Sequence, residues 1–277
     1  ILSAGLFVPP TLAADDNAVA KQKQAADANY KALQLAPVGR AESTNFLLYG
    51  TLPDARLKVL AANLEKQSST AARALQFDKD SKPWTGKLTV YVFADRGQFR
   101  SFVRQIEKRS PDEGEQSSVN ARGDMPHLAV SPGQGKESPT AEAEAGYRVA
   151  ATMLMAKAKG TELPEWLTLG FARATAAQAV NSPAGVRKRA ARQLAGRLKP
   201  ADAWNDMLSI EQRLPLATSV ADYLFYGKGL AKPGDFLLAF RPDDDKPMKT
   251  VWDALEAVKT TQEQFEAGYV KWLRGNS

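Results

Sequence analysis

Apolar positions along this chain follow two different patterns, one in each half. In the first half, Leu88-Thr89-Val90-Tyr91-Val92-Phe93 is a run of β-branched and aromatic residues bounded by turn residues, the signature of a strand. Asn45–Tyr49 and His127–Val130 read as two further short strands, the second closed by Ser131-Pro132-Gly133. Helical spacing surrounds them. Pro53–Leu75 carries Leu57, Val59, Leu60, Leu64 and Leu75, and Asp95 is a natural N-cap for a helix through Phe99, Phe102, Val103 and Ile106. Asp15–Leu35 has helical composition with a thin stripe at Val19, Ala26, Tyr30 and Leu33, which predicts a loosely attached arm. Ser110–Asn120 is polar and reads as a loop ending in a short strand.

From Pro139 onward helical periodicity dominates. Helices are expected over Thr140–Lys159, Pro164–Val180, Ala184–Leu198, Ala201–Leu208, Ala217–Gly229, Gly234–Phe240, Val251–Val258 and Thr261–Leu273. Gly160 stops the first, and Thr260 with Glu263 has capping-box spacing ahead of the last. A small mixed β-sheet with helices, followed by a mostly helical half, is an α+β architecture.

At 277 residues the chain can bury a sizeable core, as one compact unit or two closely packed layers. The net charge of +6 permits binding to anionic surfaces without requiring it. With no cysteine, disulfides and thiolate metal sites are excluded. Ile1–Ala14 is apolar and ends in small residues, with Thr11 and Ala13 spaced as at a signal-peptidase site. It reads as the back half of an export signal, which predicts a periplasmic or extracellular location. No other stretch approaches the roughly 20 apolar residues of a membrane span.

The candidate chemistry lies on two consecutive predicted helices. Ala143-Glu144-Ala145-Gly146-Tyr147 occupies the first and Leu163-Pro164-Glu165-Trp166-Leu167-Thr168-Leu169-Gly170 leads into the second. Together they resemble the His-Glu-x-x-His plus Trp-Leu-x-Glu-Gly pattern of the peptidase-MA-like (gluzincin-type) zinc metallopeptidase domains of bacterial exported proteins, with the ligands replaced. The order of the surrounding segments is similar too. Leu88–Phe93 with Phe99 and Phe102, His127–Ser131 at the place of the substrate-aligning edge strand, and a helical tail ending in Trp272-Leu273 extend the resemblance over residues 45–273.

The resemblance implies a zincin-like fold whose active-site helix is degenerate. Residues 15–40 would form an N-terminal helical arm, and 41–277 one domain with an α/β subregion at 41–138 and a helical subregion at 139–277. Ala143 stands at the first histidine, Tyr147 at the second, Leu169 at the third ligand and Glu144 at the general base. An alternative register makes Glu142 the base. Neither restores a histidine, because the chain holds only His127. Replacement by apolar residues implies a pocket filled by packing, with Leu169 buried and Glu144 either a residual acid or base or simply an acidic helix residue pairing with Arg148. The expected function is a catalytically inactive pseudopeptidase that needs no metal or other cofactor and binds a peptide or protein partner or serves as a scaffold. The alternative is a divergent hydrolase or metallopeptidase using Glu144 with non-histidine ligands such as Glu142 and Glu162.

Other signals are weaker. His127 at a strand start, without a Gly-x-Ser-x-Gly motif, reads as structural. Arg187, Lys188, Arg189, Arg192, Arg197 and Lys199 crowd one helix and read as a solvated face, since no aromatic residues are interleaved for base stacking, and no nucleic-acid partner is expected. Asp243-Asp244-Asp245 lacks the alternating ligands of a calcium loop. Trp166, Trp204, Trp252 and Trp272 read as interhelix anchors.

Overall fold

The structure, a computed structural model, describes residues 11–35, 39–78, 81, 83–121, 123–135, 138–196, 198–243 and 249–276. Most of the export-signal stretch, residues 1–10, lies outside these, as do Asp244, Asp245 and Arg197. The chain divides into two compact units, one built from residues up to Glu65 with Trp84–Ala145, the other from Lys66–Pro83 with Gly146 onward.

The first unit contains α1 (Thr11–Ala32), β1 (Gly39–Glu42), β2 (Phe46–Gly50), the first part of α2 (Asp54–Ala74), β3 (Leu88–Val92), α3 (Arg96–Gln105), β4 (Ser117–Asn120), β5 (His127–Val130) and the first turn of α4 (Ala141–Lys157). The five strands form one mixed sheet in the order β1-β2-β3-β5-β4. β2, β3 and β5 run parallel, which requires crossover connections, and the outer strands β1 and β4 are antiparallel to their neighbours. All residues of β2 and β3 are buried, as expected of strands covered on both faces, and this is why their sequences are apolar runs without alternation.

On one face of the sheet Leu47, Tyr49, Tyr91, Phe93 and Ala129 pack with Ala26 and Tyr30 of α1 and with Phe99, Phe102 and Val103 of α3. α1 is therefore not a loose arm. Its stripe is thin, but the Tyr30 ring lies 6.1 Å from that of Tyr91 and 6.3 Å from those of Tyr49 and Phe93, so one aromatic side chain supplies the anchorage. Buried Gln22 adds polar ties, donating to the Thr85 carbonyl and accepting from the Lys87 backbone N–H. Asp95 caps α3 by accepting from the Gln98 N–H at 2.9 Å.

A second correction concerns the edge of the sheet. His127–Val130, expected at the edge, forms β5 and lies between β3 and β4. The antiparallel edge strand is Ser117–Asn120, the short strand expected at the end of the polar Ser110–Asn120 stretch.

The second unit contains the remainder of α2 and α4 and then α5 (Glu165–Ala179), α6 (Ala184–Ala195), a 3-10 helix (Pro200–Trp204), α7 (Ile210–Tyr226), α8 (Pro233–Leu238), α9 (Val251–Ala257) and α10 (Gln262–Asn276). α5 and α7 approach so closely that a Cβ on Gly170 would stand 2.6 Å from the Ala217 carbonyl oxygen. The tryptophans are interhelix anchors. Trp166 packs on Trp204 at 5.2 Å, Trp204 on Trp252 at 5.1 Å, and Trp272 on Tyr223 at 5.4 Å.

Two boundaries differ from the sequence reading. α7 begins at a Ser209–Gln212 capping box, ahead of the expected Ala217, and runs through Pro215. Ala201–Leu208 contributes only the short 3-10 turn. The box before α10 is formed one residue later than expected, with Thr261 and Gln264 bonding each other's backbone N–H groups at 3.0 and 3.3 Å.

Candidate functional site

Glu144, read as a residual acid or base or as an acidic helix residue, has a setting that the sequence does not convey. It is 4% exposed, in the first turn of α4, where the positive end of the helix dipole favours a carboxylate. Ser117 Oγ donates to Glu144 Oε1 at 2.7 Å and Gln116 Nε2 donates to Oε2 at 3.2 Å. Both carboxylate oxygens are thus bonded to side chains at the start of β4. This geometry suits a structural tie between helix and strand better than a base facing a substrate water. Glu142, the alternative base, forms an ion pair with Arg56 of α2.

The edge of β4 has free backbone hydrogen-bonding capacity. The Ser131 N–H donates to the Gln116 carbonyl at 2.8 Å, which makes Gln116–Ser131 a hydrogen-bonded pair of the antiparallel ladder. Since such pairs alternate, Ser117 and Val119 are non-bonded positions whose own N–H and C=O point away from β5. No described residue bonds these outward groups. The Val119 side chain is itself exposed.

Leu169, expected to be buried, is only half-buried, and so are the other two positions that the resemblance would align with zinc ligands. Ala143 lies in the first unit, Tyr147 and Leu169 in the second. The Arg173 guanidinium lies 5.0 Å over the Tyr147 ring, a cation–π contact between α4 and α5. Leu169 precedes Arg173 by one turn on the same α5 face. Long side chains bridge these helices here.

A separate polar network occupies the same sheet end. Glu107 accepts from Ser118 Oγ at 2.8 Å and from Arg109 Nε at 3.0 Å, and His127 Nε2 lies 3.2 Å from its second oxygen. Arg109 also donates to Ser118 Oγ at 2.9 Å and pairs with Glu115. Burial acts to raise the Glu107 pKa, but the bonds from His127 and Ser118 and the nearby Arg109 charge outweigh it and hold the carboxyl below its ordinary value. Glu115 is likewise lowered, chiefly by its bond to Arg109. The Ser118 hydroxyl is directed to Glu107, so serine, histidine and carboxylate converge without the relay that a nucleophile requires. The His127 ring packs edge-on against Tyr91 and Phe102, which supports its structural reading.

Sequence reasoning missed these partners because Glu107 and Arg109 follow the expected α3 helix without a pattern of their own and Glu115 and Ser118 fall in the polar Ser110–Asn120 stretch. It also missed Asp222, a 1%-exposed aspartate of α7 that accepts from Gln178 of α5 and from Arg187 Nε of α6 at 2.9 Å. Burial raises its pKa, against the lowering effect of those two partners. The Arg187 guanidinium also stacks on Trp272 at 4.7 Å.

The zinc that a gluzincin would hold at positions 143, 147 and 169 finds no suitable donors. Alanine and leucine have no lone pair to offer, and the ring of Tyr147 is covered by a cation. Among the described residues no group of three or more His, Cys, Asp or Glu is placed to hold a metal ion, and Glu162 is exposed in the segment before α5. No helix of the described residues is long and apolar enough to cross a membrane. Compared with models of known protein families the chain matches none, and no curated protein sequence matches it either.

Proposed function

We propose that the chain is an exported, catalytically inactive relative of the peptidase-MA-like metallopeptidases that binds an extended peptide segment along the free edge of β4. The observation that carries this reading is the pairing of Glu144 with Ser117. A carboxylate at the general-base position is used to brace the edge strand, while the outward N–H and C=O groups of exposed Val119 remain available. A peptide laid antiparallel or parallel to β4 would gain main-chain hydrogen bonds there, as in recognition by β-strand addition, with the Val119 side chain beside it. The mixed sheet with an antiparallel edge strand, followed by α4 and α5, is consistent with a zincin-like ancestry.

The test is selection from a phage-displayed library of random peptides, followed by hydrogen exchange on the complex. Selected peptides are expected to slow exchange of the β4 amides. Val119→Pro removes an outward N–H without touching the β4–β5 ladder and should abolish binding while leaving the melting temperature nearly unchanged. Failure to select any peptide, protection mapping away from β4, or undiminished binding by Val119→Pro would refute the proposal. Chelator-sensitive cleavage of a selected peptide would favour the active-hydrolase reading instead.

A further inference from the structure

The net charge of this protein is concentrated in one stretch. Trp166–Ala201 holds seven of the chain's 37 Lys and Arg residues and none of its 31 Asp and Glu, so basic and acidic residues elsewhere are almost balanced. That stretch folds into α5, α6 and the approach to the 3-10 helix, all within the second unit.

The structure separates its cations into two groups. Arg173 lies over Tyr147, and Arg187 is turned inward to Asp222 and Trp272, so both have structural partners. Lys188, Arg189, Arg192 and Lys199 are exposed, and no acid pairs with them among the described residues. Val186 and Ala190 seat the opposite side of α6 in the core. A helix of 12 residues, about 18 Å long, thus presents Lys188, Arg189 and Arg192 as the only charges of its exposed surface, with Lys199 in the segment that follows.

Apolar side chains are exposed near both ends of α6. Val180, just before α6, is 63% exposed, and Met207 is 92% exposed. Gln193 near the end of α6 donates to the Gln212 carbonyl at the start of α7, which brings the segment holding Met207 close to that end of the helix. Phosphates of a nucleic acid would match the charge but leave Val180 and Met207 with nothing apolar to enter. No exposed aromatic residue of this stretch offers a base-stacking platform; Trp166 and Phe171 are buried.

We infer that the outer face of α6, with the segment that follows it, docks on an anionic phospholipid surface, with Lys188, Arg189, Arg192 and Lys199 at the headgroups and Val180 and Met207 entering the interfacial layer. The inference stands independently of the peptide-binding reading. Attraction of this kind is electrostatic and additive, so each cation contributes about a fivefold gain in partitioning at moderate salt, and the contribution is screened as salt rises.

The experiment is co-sedimentation of the purified full chain with vesicles of phosphatidylcholine alone or mixed equally with phosphatidylglycerol. The protein should pellet with the mixed vesicles at low salt and stay in solution with phosphatidylcholine. The triple variant Lys188→Gln, Arg189→Gln, Arg192→Gln should lose roughly 100-fold in partitioning. Val180→Ser with Met207→Ser should weaken binding several-fold, a change that a charge-only contact would not show. All five positions are exposed, and unchanged circular dichroism and melting confirm that the variants fold. Absence of pelleting with mixed vesicles, or a triple variant that binds like the parent, would overturn the inference. So would binding of duplex DNA with no binding to vesicles.

Discussion

Replacing Glu144 by alanine should destabilise the first unit by roughly 2–4 kcal/mol, most of it through the partners left behind. Ser117 Oγ at 2.7 Å and Gln116 Nε2 at 3.2 Å both donate to this carboxylate, and Ser117 and Glu144 are buried. A hydrogen bond to a charged acceptor contributes about 1.5–3 kcal/mol, and a buried donor left without its acceptor costs about 1–3 kcal/mol. Removing a buried charge relieves its desolvation, which offsets part of this and keeps the sum below the total of the two bonds. Glu144→Gln retains an oxygen for Ser117 and should cost only about 1 kcal/mol. Urea denaturation gives the overall loss, and hydrogen exchange localises it to β4 and the first turn of α4. A double-mutant cycle with Ser117→Ala should return a coupling of about 1–2 kcal/mol. A loss below about 0.5 kcal/mol for the alanine variant, with no coupling to Ser117, would show that the carboxylate is not a structural tie.

Acidification should loosen the two units unequally. Glu107 and Glu115 have lowered folded-state values, so their stabilisation is complete above the ordinary carboxyl value of 4.5 and is lost as pH falls through the folded values. Asp222 has the opposite sign. Its value is raised above 3.8, so its contribution is fully present below 3.8 and is lost as pH rises through the folded value. Hydrogen exchange compared at pH 7 and pH 4, corrected for intrinsic rates, should show β4 and β5 losing more protection than α5 and α7; equal losses would contradict the assignment. Gly170→Ala should destabilise the second unit by about 1–3 kcal/mol in thermal melts despite alanine's better helix propensity, because the added methyl meets the Ala217 carbonyl. Lys259→Gly should raise stability by up to about 1 kcal/mol, because Lys259 follows α9 with a φ of 62°, a region glycine occupies without strain; a loss would show that the side chain makes a contact outweighing that strain.

The sequence conveys the fold where a single physical signal dominates. Leu88–Val92 is legible because two-sided burial demands an uninterrupted apolar run, and α3 because Asp95 caps a strongly amphipathic turn pattern. β1 escapes detection and β4 is legible only as a short strand closing a polar stretch, for a related reason. Gly39-Arg40-Ala41-Glu42 and Ser117-Ser118-Val119-Asn120 are outer strands, formed through their ladders with β2 and β5 more than through their own apolar content. At the candidate site, that positions 143, 147 and 169 hold no histidine or carboxylate is legible from residue identity alone, whereas their partial exposure is not. The burial of Glu144 had a readable sign in its three-residue spacing from Ala141 and its place beside Ala145, both buried. Its partners could not be read, because nothing in the polar stretch Ser110–Asn120 says that Ser117, at the start of β4, and Gln116 just before it face the first turn of α4.

The most direct test of the central claim is the zinc content of the purified protein after incubation with excess zinc and exhaustive desalting, measured by native mass spectrometry. The proposed reading, with Ala143, Tyr147 and Leu169 at the positions aligned with zinc ligands in a chain with one histidine, predicts the metal-free mass and no retained ion. One tightly retained zinc per chain, removable only by a strong chelator, would contradict the account.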